Sequence, residues 1–174
     1  MTTNKKTDPR PKKNNKNILD SALRYLTHQP RSIHEIQEYL TKKGVDEALV
    51  GKTIEILLEK SYLNDEIFTR HFVESRVHHK PKSKFALAYE LNKKRIDPAI
   101  IENVLKEYDD QDLAFKAIKP KIKLWTHLDG EKIKKKILNF LQYRGFSYEV
   151  SISLSNELTQ SKQKSMDLKG ENEN

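Results

Sequence analysis

Tyr39-Leu40-Thr41-Lys42-Lys43-Gly44-Val45-Asp46 returns twice in altered form, as Glu90-Leu91-Asn92-Lys93-Lys94-Arg95-Ile96-Asp97 and as Phe140-Leu141-Gln142-Tyr143-Arg144-Gly145-Phe146-Ser147. Each copy has a leucine that ends an apolar face, three polar or basic residues, Gly or Arg, an apolar residue, and an Asp or Ser that can cap a helix. Leu40, Leu91 and Leu141 lie 51 and 50 residues apart. A fixed period of this size marks tandem supersecondary units.

Helix signals surround each copy. Ser32-Ile33-His34-Glu35 has the form of a capping box, in which Ser32 and Glu35 satisfy opposed orphan amides. Asp97-Pro98 puts a cap before a proline at the first helical position. Gly44 suits the left-handed position just beyond a helix end. The spacing of apolar residues predicts nine helices between the two termini. Phe85, Ala88, Tyr89 and Leu91 are expected to face inward on the fifth, and Pro120 to kink or split the seventh between Lys116 and Pro120. Exposure of Trp125 stays open at this stage.

These signals predict an all-α protein of three tandem three-helix repeats forming an elongated, curved array. The expected boundaries are a disordered basic tail over 1–16, repeats over 17–62, 63–108 and 109–159, and a disordered C-terminal tail over 160–174. A unit of about 45 to 50 residues buries little by itself, so neighbours are expected to share a core.

The chain has 174 residues, no cysteine and only 5 glycines. Disulfides, thiolate metal sites and a cysteine nucleophile are therefore excluded. The five glycines form no phosphate-binding loop. No apolar run approaches the ~18 residues of a membrane span, and the polar N-terminus has no signal-peptide core. A soluble cytoplasmic monomer that is not an enzyme, with no cofactor and no metal, is expected. His71, His78 and His79 read as surface histidines, and Asp109, Asp110 and Asp112 as capping residues.

The net charge of +8 is unevenly spread: residues 76–95 sum to +6, residues 97–112 to −5 and residues 116–144 to +7. Such a field steers a chain toward a polyanion or an acidic protein surface, and a solvated lysine surface is the plainer reading. The candidate contact residues are Arg76, Lys80, Lys82 and Lys84 around the break after the fourth helix. Lys94, Arg95 and Arg144 fall in matching turns, and Lys132, Lys135 and Lys136 share one side of a helix. Polyphosphate contact and acidic-protein contact both fit these sets.

The segment Tyr62-Leu63-Asn64-Asp65, followed by Phe68, Phe72 and Arg76, stands between the first two copies. Taken in order with Leu91 to Asp97 and Phe140 to Tyr148, it resembles the bacterial RecX family of regulators of the RecA recombinase, over roughly residues 20–158. The resemblance implies a row of three-helix repeats and a non-enzymatic role. It implies that the partner is the RecA filament on single-stranded DNA, whose ATP hydrolysis, strand exchange and coprotease activities the chain would inhibit. Direct DNA contact by a basic helical module is the alternative. Two departures from the family pattern concern loops. His78-His79-Lys80-Pro81-Lys82-Ser83 stands where glycines are common, and Arg95 where a glycine is usual.

Overall fold

The computed structural model describes residues 15–125 and 127–170. Among the described residues there are nine α-helices and no strand. The helices are α1 (Asn15–His28), α2 (Ile33–Lys42), α3 (Glu47–Glu59), α4 (Asp65–His79), α5 (Lys84–Lys93), α6 (Pro98–Leu105), α7 (Asp110–Ile122), α8 (Gly130–Tyr143) and α9 (Tyr148–Gly170).

The repeated motif is the C-terminus of α2, α5 and α8, and in each it closes the same way. Val45, Ile96 and Phe146 donate their N–H to the carbonyls of Leu40, Leu91 and Leu141 at 3.2, 3.3 and 3.1 Å. Gly44, Arg95 and Gly145, one residue earlier, donate to Thr41, Asn92 and Gln142 at 2.9, 3.0 and 2.9 Å. This pair of bonds is the Schellman closure, in which the first of the two donors is left-handed. Gly44, Arg95 and Gly145 occupy that place with φ of 70, 57 and 87°. The apolar residue after the turn is buried in all three copies, as is the leucine that accepts its bond. One turn thus ends a helix, seats two core residues and aims the next helix. That next helix is capped at once: Asp46 and Asp97 accept from the amides of Ala48 and Ala99, and Ser147 from that of Val150.

Two compact units result. The first, through Asn64, packs α1, α2 and α3 around Ile18, Ala22, Ile36, Leu40, Ile54 and Leu57. The capping box at α2 is complete, with the Glu35 amide donating to Ser32 Oγ at 3.2 Å and the Ser32 amide donating to Glu35 Oε2 at 3.0 Å. The second unit begins at Asp65 and contains α4 to α9. Here the second and third repeats share one continuous core, in which Leu87, Leu91 and Ile101 join Ile118, Ile137 and Leu141. The Asp110 carboxylate, at the start of α7, accepts the amide of Lys84 at 2.8 Å. The Ser83 amide donates to the carbonyl of Arg144 at 3.2 Å, tying the start of α5 to the end of α8. Gly145 sits so close that a Cβ there would lie 2.8 Å from both Ala86 Cβ and Ser83 Oγ.

That close approach accounts for one difference from the expected pattern. Ala86 accepts the Gly145 turn, so α5 buries Leu87 and Leu91 while Phe85 and Tyr89 point outward, 77% and 57% exposed. Tyr62 is also exposed, because it follows the left-handed Ser61 in a turn that sends Leu63 into the core instead. Pro120 does not split α7, which runs unbroken to Ile122. The proline lies in the last turn, two residues before the helix ends. α9 runs to Gly170, into the stretch expected as a tail; no proline or glycine interrupts it before that residue. Of the two expected tails, residues 1–14 and 171–174 lie outside the described residues.

Candidate interaction surface

Buried hydroxyls in this fold are closed on their own helices: Thr53, Thr69 and Ser151 each donate to the carbonyl four residues earlier, at 2.7, 2.6 and 2.7 Å. Asp109 caps α7 by accepting from the amides of Gln111 and Asp112. Among the described residues no group of three or more His, Asp or Glu is placed to hold a metal ion. The surface chemistry is carried by cations.

Several of those cations lie on aromatic rings. The residue that caps the C-terminus of the second helix is basic in each repeat. Lys43 Nζ stands 4.6 Å from the Tyr39 ring centre, and the Arg144 guanidinium 4.9 Å from that of Phe140. Lys94 Nζ is 5.5 and 5.8 Å from Phe68 and Phe72. A cation at a helix C-terminus also opposes the negative end of the macrodipole. In the first unit two rings join. Tyr25 and Tyr39 lie 3.9 Å apart and nearly parallel, with Arg31 4.3 Å from the centre of the first and Lys43 4.6 Å from that of the second. Nothing in the sequence pattern pairs Tyr25 with Tyr39, since they sit on different helices.

The ten candidate residues do not form one site. Arg76 and Lys82 close on a single carboxylate, with Arg76 Nε 2.8 Å from Glu90 Oε2 and Lys82 Nζ bonded to Oε1. Burial raises the Glu90 pKa, but the bonds from Lys82 and Arg76 outweigh it, so the carboxyl sits below its ordinary value. One carboxylate thus offsets half of the charge of two partly exposed cations. Lys84 contributes its backbone amide to Asp110, and its side chain is half-buried. Arg95 is exposed at the left-handed turn position.

On α8, Lys132, Lys135 and Lys136 all face solvent, opposite the Ile133, Ile137 and Leu141 stripe. Lys132 is paired with Asp129 at 2.8 Å, and Lys136 lies 5.7 Å from the Trp125 ring centre. Trp125 itself is half-buried, edge-on to Phe140 with centroids 6.1 Å apart.

The remaining two, Lys80 and Arg144, belong to a groove of about 930 Å³ between the end of α4, the second half of α7 and the end of α8. Arg144 is fixed there by donating to the Pro81 carbonyl at 3.1 Å. Lys116, Lys119, Lys121 and Lys123 complete the basic lining. These four were missed as site residues in the sequence reading. Their signal was the +7 block over 116–144, but only the packing of α7 against α8 shows that they face Lys80 and Arg144 across one depression.

Models of the first, second and third three-helix domains of RecX match residues 19–57, 64–105 and 107–151, in that order. A regulatory protein RecX of Chlorobium phaeobacteroides is 36% identical over 131 residues, covering 75% of this chain and 86% of the relative. One from Bacillus cytotoxicus is 31% identical over 144 residues, which is 81% of this chain and 53% of that longer relative. The crystal structure of RecX from Lactobacillus salivarius superposes with a TM-score of 0.71 at 26% identity, covering 83% of this chain and 96% of that one.

Proposed function

This chain belongs to the RecX family, and from that premise we propose that it is a cytoplasmic regulator that binds the RecA–single-stranded DNA filament. Binding would bridge neighbouring RecA subunits and hinder the cycling on which ATP hydrolysis, strand exchange and coprotease activity depend. The observation that carries the reading is the order of the three domain matches over 19–151, each falling on its own set of three helices. The surface is compatible with it. A cation is held over an aromatic ring at a helix end in every repeat, exposed at Lys43 and partly exposed at Lys94 and Arg144, and many modest contacts spread over three repeats give affinity without a deep pocket.

The experiment is DNA-dependent ATP hydrolysis by RecA, titrated with this protein. Inhibition that saturates near a fixed ratio of regulator to RecA is expected. Undiminished hydrolysis at stoichiometric protein would sink the proposal. The rival is a basic module that acts on DNA directly. It is distinguished by affinity for bare single-stranded DNA and for the RecA filament at the same salt concentration. The regulator reading requires the filament to be bound more tightly.

A further inference from the structure

We propose that the groove between α4, α7 and α8 is a binding site for single-stranded nucleic acid, with phosphates on its rim and bases on its floor. The rim carries Lys80, Lys116, Lys119, Lys121, Lys123 and Arg144, and no carboxylate lines the groove. Lys80, Lys116, Lys119 and Lys121 make no ion pair among the described residues, in contrast to Arg76, Lys82 and Lys132 elsewhere on the same unit. Four uncompensated ammonium groups around one depression repel one another in the free protein. An anion that enters relieves this repulsion and releases its own counterions.

The floor decides which polyanion. Val77, Pro81, Ala117, Pro120 and Phe140 make up the apolar part of the lining, and Phe140 is partly buried with the Arg144 guanidinium over its ring. A strand of unpaired nucleotides has regularly spaced phosphates on one side and flat apolar bases on the other. It matches cationic walls above an apolar floor. A duplex keeps its bases stacked inside and offers the floor nothing. An acidic peptide supplies charge but no flat apolar faces at matching intervals. Lysines in place of bidentate arginines read charge and not sequence, so binding is sequence-tolerant.

The inference does not depend on the filament proposal, and its test contains no RecA. Binding of a fluorescent oligothymidylate is followed by anisotropy across a salt series, for the full chain and two triple variants. Lys116→Glu/Lys119→Glu/Lys121→Glu removes groove charge. Lys132→Glu/Lys135→Glu/Lys136→Glu makes the same charge change on the outer face of α8. Circular dichroism and the thermal midpoint confirm that both remain folded; all six side chains are at least partly exposed.

The groove variant is expected to bind at least tenfold more weakly. The slope of log affinity against log salt should be shallower by about 2, because each single-strand phosphate that a lysine neutralises adds about 0.7 to it and three lysines are replaced. The α8 variant should change affinity much less. Equal losses in the two variants would show a response to net charge alone and overturn the proposal, as would an unaltered groove variant. Competition by a duplex or a polyglutamate peptide as effective as the unlabelled single strand would overturn the role given to the floor, and with it the assignment.

Discussion

Arg95 stands in a left-handed turn with φ of 57°, where the two matching turns have glycine. An L-residue with a Cβ is strained there by about 1 kcal/mol, and glycine is not. Arg95→Gly should therefore raise stability by about 0.5–1 kcal/mol in urea unfolding, and a drop in stability would show that the arginine side chain makes a compensating interaction. Gly145 is the reverse case. Its φ is 87° and a Cβ would press on Ala86 and Ser83, so Gly145→Ala should cost more than about 2 kcal/mol. Glu90 is the third residue whose effect can be signed. Its carboxyl is held below its ordinary pKa by Lys82 and Arg76 against the cost of burial. A depressed folded pKa gives stability that is present above the unfolded value, about 4.3, and is lost as pH falls through the folded one. Glu90→Gln should thus cost about 1–2 kcal/mol at pH 7, and the difference from the parent should shrink in unfolding curves taken below about pH 4. A difference that persisted unchanged at pH 3 would mean that the interaction is not ionic.

At the scale of one element, α8 separates folding from contact. Its inner stripe of Ile133, Ile137 and Leu141 is buried, and Lys132, Lys135 and Lys136 face solvent. Ile137→Ala should cost about 2–5 kcal/mol through reduced burial and an unfilled cavity. The triple change of the lysines to glutamate should leave the fold intact, since exposed substitutions typically alter stability by about ±0.5 kcal/mol each. If this face meets the filament, RecA inhibition by the triple variant should weaken at low salt, and its difference from the parent should narrow as salt screens the charges. Undiminished inhibition by a folded variant would remove α8 from the interaction surface. Lys132 already has Asp129 as a partner and Lys136 lies over Trp125, so Lys135 should contribute most when changed singly.

At the scale of the whole molecule the division of the core matters more than the count of repeats. α1 to α3 close a core of their own, whereas α4 to α9 close one core between them. A chain beginning at residue 63 should therefore fold cooperatively, with a thermal transition and helical circular dichroism. A chain ending at residue 108 should lose the second repeat's packing, because Leu87, Ile101 and Leu105 share their core with Ile118, Ile137 and Leu141. An unfolded 63–174 fragment would show that the second unit depends on the first. A 15–108 fragment with two well-packed repeats would show that the shared core is dispensable.

The sequence by itself determined the nine helices of the described residues and their repeat, because caps, left-handed turns and apolar spacing are local. Ser32 with Glu35, Asp97 with Pro98, and Gly44 each act within a few residues of their own position. Ile133, Ile137 and Leu141 could be assigned to the core from their spacing alone, and the lysines opposite them to the surface. Only the tertiary structure decided which sides of α5 meet a neighbour. Phe85 and Tyr89 have the spacing of core residues, but the Gly145 turn occupies the Ala86 side and rotates them outward. The same holds for charge. Arg76 and Lys82 looked like open cations until packing brought Glu90 between them. Lys116, Lys119 and Lys121 looked like ordinary surface lysines until α7 and α8 set them along the groove that also holds Lys80 and Arg144. Lys82 and Arg76 meet Glu90 from eight and fourteen residues away, across the break between two helices, and the groove gathers cations from three helices and their ends; the spacing within any one helix does not contain that information.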